Sequence, residues 1–237
     1  MVVYALKGHG PDADAQSKDA QFAGGSANFV LHWFLWVVNP AAALSMRLGL
    51  TADFYNFAGL ALGIASGLFL AFGQLELAGW AMALSGVCDI LDGRIARAMG
   101  VASRYGAFID AVLDRFIEFA FFLGFAWFLR QSPQGAVSAT LALGGSVLVS
   151  YARAVGESLG VNCTGGLMQR GERLTLLSVA CLADRPLAGF LGLTPGTLLL
   201  GVAWFIGVTG VITAIHRTFF IAGKLRAPVT PGDSTAR

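Results

Sequence analysis

Charge is scarce in this chain: Asp, Glu, Lys and Arg together make up 13% of its 237 residues, and proline (7), cysteine (3) and histidine (3) are rarer still. With 56% hydrophobic residues and a mean hydropathy of +0.68, the low charge excludes a soluble globular enzyme. A net charge of +2 is too small for a nucleic-acid binder that neutralises phosphates over a broad surface. Cys88, Cys163 and Cys181 are odd in number and far apart, which argues against both a disulfide framework and a zinc site. His9, His32 and His216 are scattered over a tail, an aromatic segment and a helix end, and no chemistry is assigned to them.

What remains is a series of apolar stretches of about 20 residues, the length at which a helix crosses a bilayer core. Six spans are expected, at roughly 53–73, 77–99, 105–130, 135–160, 172–189 and 196–221. The fold class is therefore all-α and polytopic. The fifth span is short in its clean apolar part and counts only if the polar turn at 169–173 lies inside the protein. Ahead of the spans, residues 28–48 are aromatic, amphipathic and broken by Asn39-Pro40, and with Trp33 and Trp36 they read as a helix lying at the membrane interface. Residues 1–26 lack the pattern of a signal peptide and are expected to be a disordered cytoplasmic tail. The domain organisation expected is this tail, one membrane catalytic domain at 27–222 and a second tail at 223–237.

Of the 16 Lys and Arg residues, all but Arg130 and Arg185 fall on one side of this topology, so the positive-inside rule places both termini in the cytoplasm. An integral protein of the cytoplasmic membrane is expected. In the first span Gly59, Gly63 and Gly67 form a ridge at four-residue spacing, suited either to close helix packing or to a homodimer contact.

Carboxylates inside such helices cost about 2.5 kcal/mol or more and need a partner or a purpose. Asp89, Asp92, Asp110, Asp114, Glu118 and Glu157 are in this position. At about 100° per residue, Asp89, Asp92, Gly93 and Ala96 share one face of the second span, while Gly106, Asp110 and Asp114 form a ridge on the third. Four converging carboxylates repel one another, and protonation or bound cations must relieve the repulsion. Two divalent ions would balance the charge, and oxygen-only ligands suit Mg²⁺ or Mn²⁺. Gly93 and Gly106 leave room beside them, and Arg97 and Arg104 add positive charge at the edge. Glu118 continues the ridge as a supporting or packing residue, Arg115 points away to an interfacial or charge-pairing role, and Cys88 is a small packing residue.

The pattern Asp89-x-x-Asp92-Gly93-x-x-Ala96-Arg97, eight residues, then Gly106-x-x-x-Asp110-x-x-x-Asp114 resembles the signature of the CDP-alcohol phosphotransferases at all eight fixed positions. The resemblance implies an interfacial helix followed by six spans, and an enzyme in which an alcohol hydroxyl attacks the β-phosphorus of a CDP-linked substrate and CMP is released. It implies that Asp89, Asp92, Asp110 and Asp114 hold two metal ions, that Asp114 is also the general base, and that Gly93, Ala96, Arg97 and Gly106 line the CDP site.

The acceptor must be read downstream. Arg153, Arg170 and Arg173 could gather three guanidinium groups beside the metals as a pocket for an acceptor phosphate, or could simply mark the cytoplasmic side. The stretch Gln169-Arg170-Gly171-Glu172-Arg173 resembles the Glu-Arg-x-x-Arg segment of the phosphatidylinositol-phosphate synthase branch, with Gln169 in place of the usual Glu. The expected reaction is phosphatidyl transfer from CDP-diacylglycerol to a phosphorylated polyol, inositol phosphate ahead of glycerol phosphate. Alternatives are phosphoalcohol transfer from a CDP-alcohol to diacylglycerol and, from another class, a cation-coupled transporter using the acidic cluster.

Overall fold

The computed structural model describes residues 40–42, 44–163, 165–166 and 168–226. The expected tail at 1–26, most of the expected interfacial helix at 28–48, His9, His32 and the end of the C-terminal tail lie outside the described residues. Of the interfacial segment, residues 40–42 and 44–47 are helical. Ser45 hydrogen-bonds Tyr55 across the turn that follows, and Ala42 packs with Leu91 and Ile95.

Every regular element among the described residues is helical. Six long helices follow one another: α1 (Ala52–Ala71), α2 (Leu75–Ala98), α3 (Arg104–Phe128), α4 (Pro133–Ser158), α5 (Arg170–Leu191) and α6 (Thr197–Arg226). Each begins within two residues of the expected start, and α6 runs five residues past the expected end. The local signals are conventional. Thr51 caps α1 and Ser103 caps α3 through side-chain oxygens, Pro133 opens α4 where no helical N–H is needed, and Gly192 ends α5 in the left-handed conformation.

Four of these helices, α1, α4, α5 and α6, are long and apolar enough to cross a membrane by length and composition. The other two are α2 and α3, of 24 and 25 residues, which carry the charged residues of the acidic motif. The protein is an integral membrane protein. The doubtful fifth segment is among the four by its length and composition, and in its polar start Arg173 is 3% exposed.

Neighbour contacts close a ring, with α1 against α2, α2 against α5, α5 against α6, α6 against α4, α4 against α3 and α3 against α1. Leu70, Leu75, Phe121, Phe125, Leu177, Leu199 and Ile206 fill its interior. Two crossings depend on missing side chains. A β-carbon on Gly67 would fall on the Ala120 carbonyl of α3, and Gly145 of α4 lies against Gly207 and Gly210 of α6. The ridge at Gly59, Gly63 and Gly67 is thus occupied within the chain, by Ser85 and Cys88 of α2 and by Ile117 and Ala120 of α3.

Candidate active site

The site lies where α2 ends and α3 begins. After Met99 the chain turns through Gly100, at φ +66°, and Ser103 then accepts from the Gly106 N–H at 3.1 Å to start α3. This short connection brings the last turns of α2 and the first turns of α3 to one end of the ring, both packed against α1. One turn of α2 separates Asp89 from Asp92, one turn of α3 separates Asp110 from Asp114, and the helical repeat keeps each pair on one face.

Carboxylate oxygens of Asp89, Asp92 and Asp110 all lie within 4.8 Å of one another. Asp114, one turn deeper, is buried and paired with Arg170, whose two terminal nitrogens reach Asp114 at 2.5 Å and Asp89 at 3.0 Å. A single guanidinium from α5 therefore spans carboxylates of α2 and α3. The donor set is oxygen throughout, with no imidazole or thiolate, and fits a hard divalent cation such as Mg²⁺ or Mn²⁺.

Around the carboxylates, Arg97 is exposed and its guanidinium lies beside Gly93, where an added β-carbon would sit 3.3 Å from it. Ala96 and Gly106 are partly buried on the same two helix ends. Cys88 lies against Gly59 of α1.

A second layer of charge sits one turn below. Glu118, 2% exposed, accepts from Arg115 at 2.7 Å on one oxygen and from Arg173 at 3.1 Å on the other. Arg115 also donates to Ser150 of α4 at 2.8 Å. Of the three arginines singled out in the sequence, Arg170 and Arg173 thus meet acidic side chains of the motif region. Arg153 pairs with Glu157 at 2.8 Å, both about two-fifths exposed.

The start of α5 explains Gln169. Its backbone N–H donates to Glu172 at 2.7 Å while its side chain takes the third helical N–H, a reciprocal cap that aims Arg170 and Arg173 along one face. The loop before it is tied down by Arg217 of α6, 5% exposed, which donates to the carbonyls of Gly165 and Val149 at 2.9 Å each. Sequence reasoning counted Arg217 only as a topology marker. The signal that could have found it is a guanidinium inside an otherwise apolar helix. Asp184 of α5 was missed as well. Fully buried near the opposite end of the ring, it accepts from the Gly196 N–H and from the Leu199 N–H at 2.9 Å, closing the start of α6.

Comparison with known proteins gives a consistent result. Residues 50–216 match the family model of the CDP-alcohol phosphatidyltransferases. The phosphatidylinositol phosphate synthase of Mycolicibacterium smegmatis is 35% identical over 183 residues, covering 75% of this chain and 80% of that one. The enzyme of the same name from Streptomyces avermitilis is 36% identical over 196 residues, covering 78% of each. Among solved structures, the Mycobacterium tuberculosis phosphatidylinositol phosphate synthase with CDP-DAG bound superposes with a TM-score of 0.69 at 28% identity, over 85% of this chain and 98% of that one. The same enzyme in complex with manganese and citrate gives 0.69 at 27% identity, over 84% and 93%.

Proposed function

Since the chain belongs to the CDP-alcohol phosphatidyltransferase family, we propose that it transfers the phosphatidyl group of CDP-diacylglycerol to the hydroxyl of inositol phosphate, releasing CMP. The observation that carries the reading is the meeting of the motif carboxylates of α2 and α3 at one end of the ring, with Arg170 of α5 laid across them. Support for the donor comes from the CDP-DAG complex of the mycobacterial relative, and support for the acceptor from the shared name of the relatives.

Asp89, Asp92, Asp110 and Asp114 hold two divalent cations in this proposal, a role supported by the all-oxygen donor set and by the manganese complex of the relative. Bound there, the cations supply a clamp on the pyrophosphate and offset the charge that develops on departing CMP. Arg97, beside the open face of Gly93, and the small residues Ala96 and Gly106 accommodate the cytidine diphosphate. Arg170 and Arg173, with Arg153 at the rim, bind the phosphate of the acceptor, for which a guanidinium fork is geometrically matched. Asp114 then takes the proton of the attacking hydroxyl. The freed oxygen forms its bond to the β-phosphorus, the bond from that phosphorus to the bridging oxygen breaks, and CMP leaves with the electron pair. The proton on Asp114 passes to water and restores the base.

Residues 27–222 act as one catalytic domain with all six helices crossing the cytoplasmic membrane, both termini in the cytoplasm and the site open to the nucleotide on that side. The membrane presents the acyl chains laterally.

The deciding experiment supplies purified protein in detergent with CDP-diacylglycerol and, in turn, inositol phosphate, glycerol phosphate, inositol, serine and choline, and measures CMP. Turnover with inositol phosphate, lost in excess chelator and regained with Mg²⁺ or Mn²⁺, is expected. Turnover with the unphosphorylated alcohols alone would remove the phosphate pocket, and undiminished turnover in chelator would remove the metals.

A further inference from the structure

The buried salt bridges between α3 and α5 form two rungs. The upper one joins Asp114 to Arg170, and the lower joins Glu118 to Arg173. Asp114 and Glu118 are four residues apart on α3, Arg170 and Arg173 three apart on α5, so each helix presents its two groups on one face. The four could pair otherwise. Arg173 is one turn from Arg170, and its guanidinium is held by little besides Glu118: its other terminal contact is a 3.4 Å approach to the Met168 carbonyl, and among the described residues nothing accepts from its Nε. Enclosed to 3% exposure, it cannot turn to bulk water for a partner. If Glu118 lost its charge, the nearest acidic groups along the same face would be those of the metal-binding cluster.

We propose that Glu118 is a positioning residue whose carboxylate retains Arg173 on the lower rung and so keeps a second guanidinium out of the Asp89, Asp92, Asp110 and Asp114 cluster. The inference rests on the reading of that cluster as a divalent-cation site. Arg170 alone already neutralises one charge there. A second guanidinium would leave the carboxylates too nearly neutralised to attract a divalent ion, because like charges at short range in a poorly screened interior repel strongly. Arg115 contributes from the other side: bonded to the second oxygen of Glu118 and to Ser150, it balances the buried carboxylate and fixes its orientation. The arrangement keeps the negative charge needed by the cations, from α2 and α3, apart from the guanidinium of Arg173 on α5.

The test is manganese binding to the purified protein in detergent, followed by electron paramagnetic resonance without either substrate and paired with turnover. Glu118→Gln keeps the shape of the side chain and removes its charge, and is expected to weaken manganese binding by about tenfold or more. Adding Arg173→Gln to it should bring binding back to within about threefold of the unaltered protein, because the intruding charge is gone. Arg173→Gln alone should leave manganese binding intact while raising the KM for the acceptor. A general loss of structure would not be reversed by a second substitution, so recovery in the double variant separates positioning from mere support. If Glu118→Gln does not fold, recovery of both folding and manganese binding in the double variant supports the same exchange of partners, and a double variant that neither folds nor binds overturns it. Unchanged manganese binding in folded Glu118→Gln, or equal weakening in the single and double variants, overturns the proposal and leaves the metal site standing. Manganese binding that survives Asp89→Asn and Asp110→Asn together overturns the metal site itself, and the inference with it.

Discussion

Asp114 differs from its three companions in where the fold leaves it. Asp89, Asp92 and Asp110 cluster with their oxygens within 4.8 Å, whereas Asp114 is one turn deeper, 12% exposed at the side chain and held by Arg170. In the proposed reaction that contact fixes the orientation of the base against the carboxylates of the first turn. Asp114→Asn retains volume and one oxygen but cannot accept the proton, so turnover is expected to fall by about two to four orders of magnitude. Binding of CDP-diacylglycerol, measured by its protection of the protein against thermal unfolding, should persist. Turnover within tenfold of the unaltered enzyme would move the base to another residue. The four aspartates and their spacing were legible because helical periodicity alone places i, i+3 and i+4 on one face. Arg170 and Arg173 were expected beside the carboxylates, but which acid each meets was not legible, since Arg170 is 81 residues from Asp89 in the chain and Arg173 is 55 from Glu118.

Helix α5 shows how an element that looks marginal in sequence is secured at both ends. At the active-site end the reciprocal cap of Gln169 and Glu172 sets its start. At the far end Asp184 satisfies two N–H groups at the opening of α6, donors that an apolar environment would otherwise leave unpaired. Pro186, inside the last turns of the helix, removes one donor more. Asp184→Ala exposes no new charge and touches no part of the proposed catalytic set, yet it strands both donors in the protein interior. A loss of about 1–3 kcal/mol of stability is expected, visible as a lower unfolding temperature in detergent, with kcat of the folded fraction unchanged. An unaltered unfolding temperature would show that water or lipid headgroups reach the α5–α6 turn and replace the carboxylate. Periodicity and hydropathy located this helix within two residues of its start and left Asp184 unnoticed, because a single acidic residue before Arg185-Pro186 reads equally well as the polar end of a span.

For the whole molecule, the two arginines that oppose the positive-inside pattern stand together with aromatic and acidic groups at the end of the ring away from the active site. Arg130 donates to the Trp127 carbonyl and lies over the Trp127 ring, with its guanidinium carbon 5.0 Å from the centroid. Arg185 bridges Glu76 and the Gly73 carbonyl. Both are partnered locally, which reduces their weight as topology signals against the arginines of the other end. In a chain with Cys88, Cys163 and Cys181 replaced, a cysteine introduced at Gln131 should be labelled by a membrane-impermeant maleimide from outside intact cells. One introduced at Ser103 should be labelled only after the membrane is opened. The reverse pattern would invert the proposed orientation and place the nucleotide site on the wrong side for a cytoplasmic substrate.

Composition determined the membrane environment, because 13% charge cannot keep so apolar a chain in water, and the lengths of the apolar runs determined the helices, because backbone groups in lipid must bond within their own segment. The eight fixed positions between Asp89 and Asp114 carried the resemblance to the family, since so many residues at set intervals rarely match by chance. These are local properties, carried by near neighbours in the chain. Which arginine meets which carboxylate, the closure of six helices into a ring, the use of the glycine ridge by α2 and α3, and the burial of Asp184 and Arg217 were decided only in three dimensions. Each requires two distant segments to meet in one register, and that register is set by the packing of whole helix faces at small residues rather than by any motif in either segment.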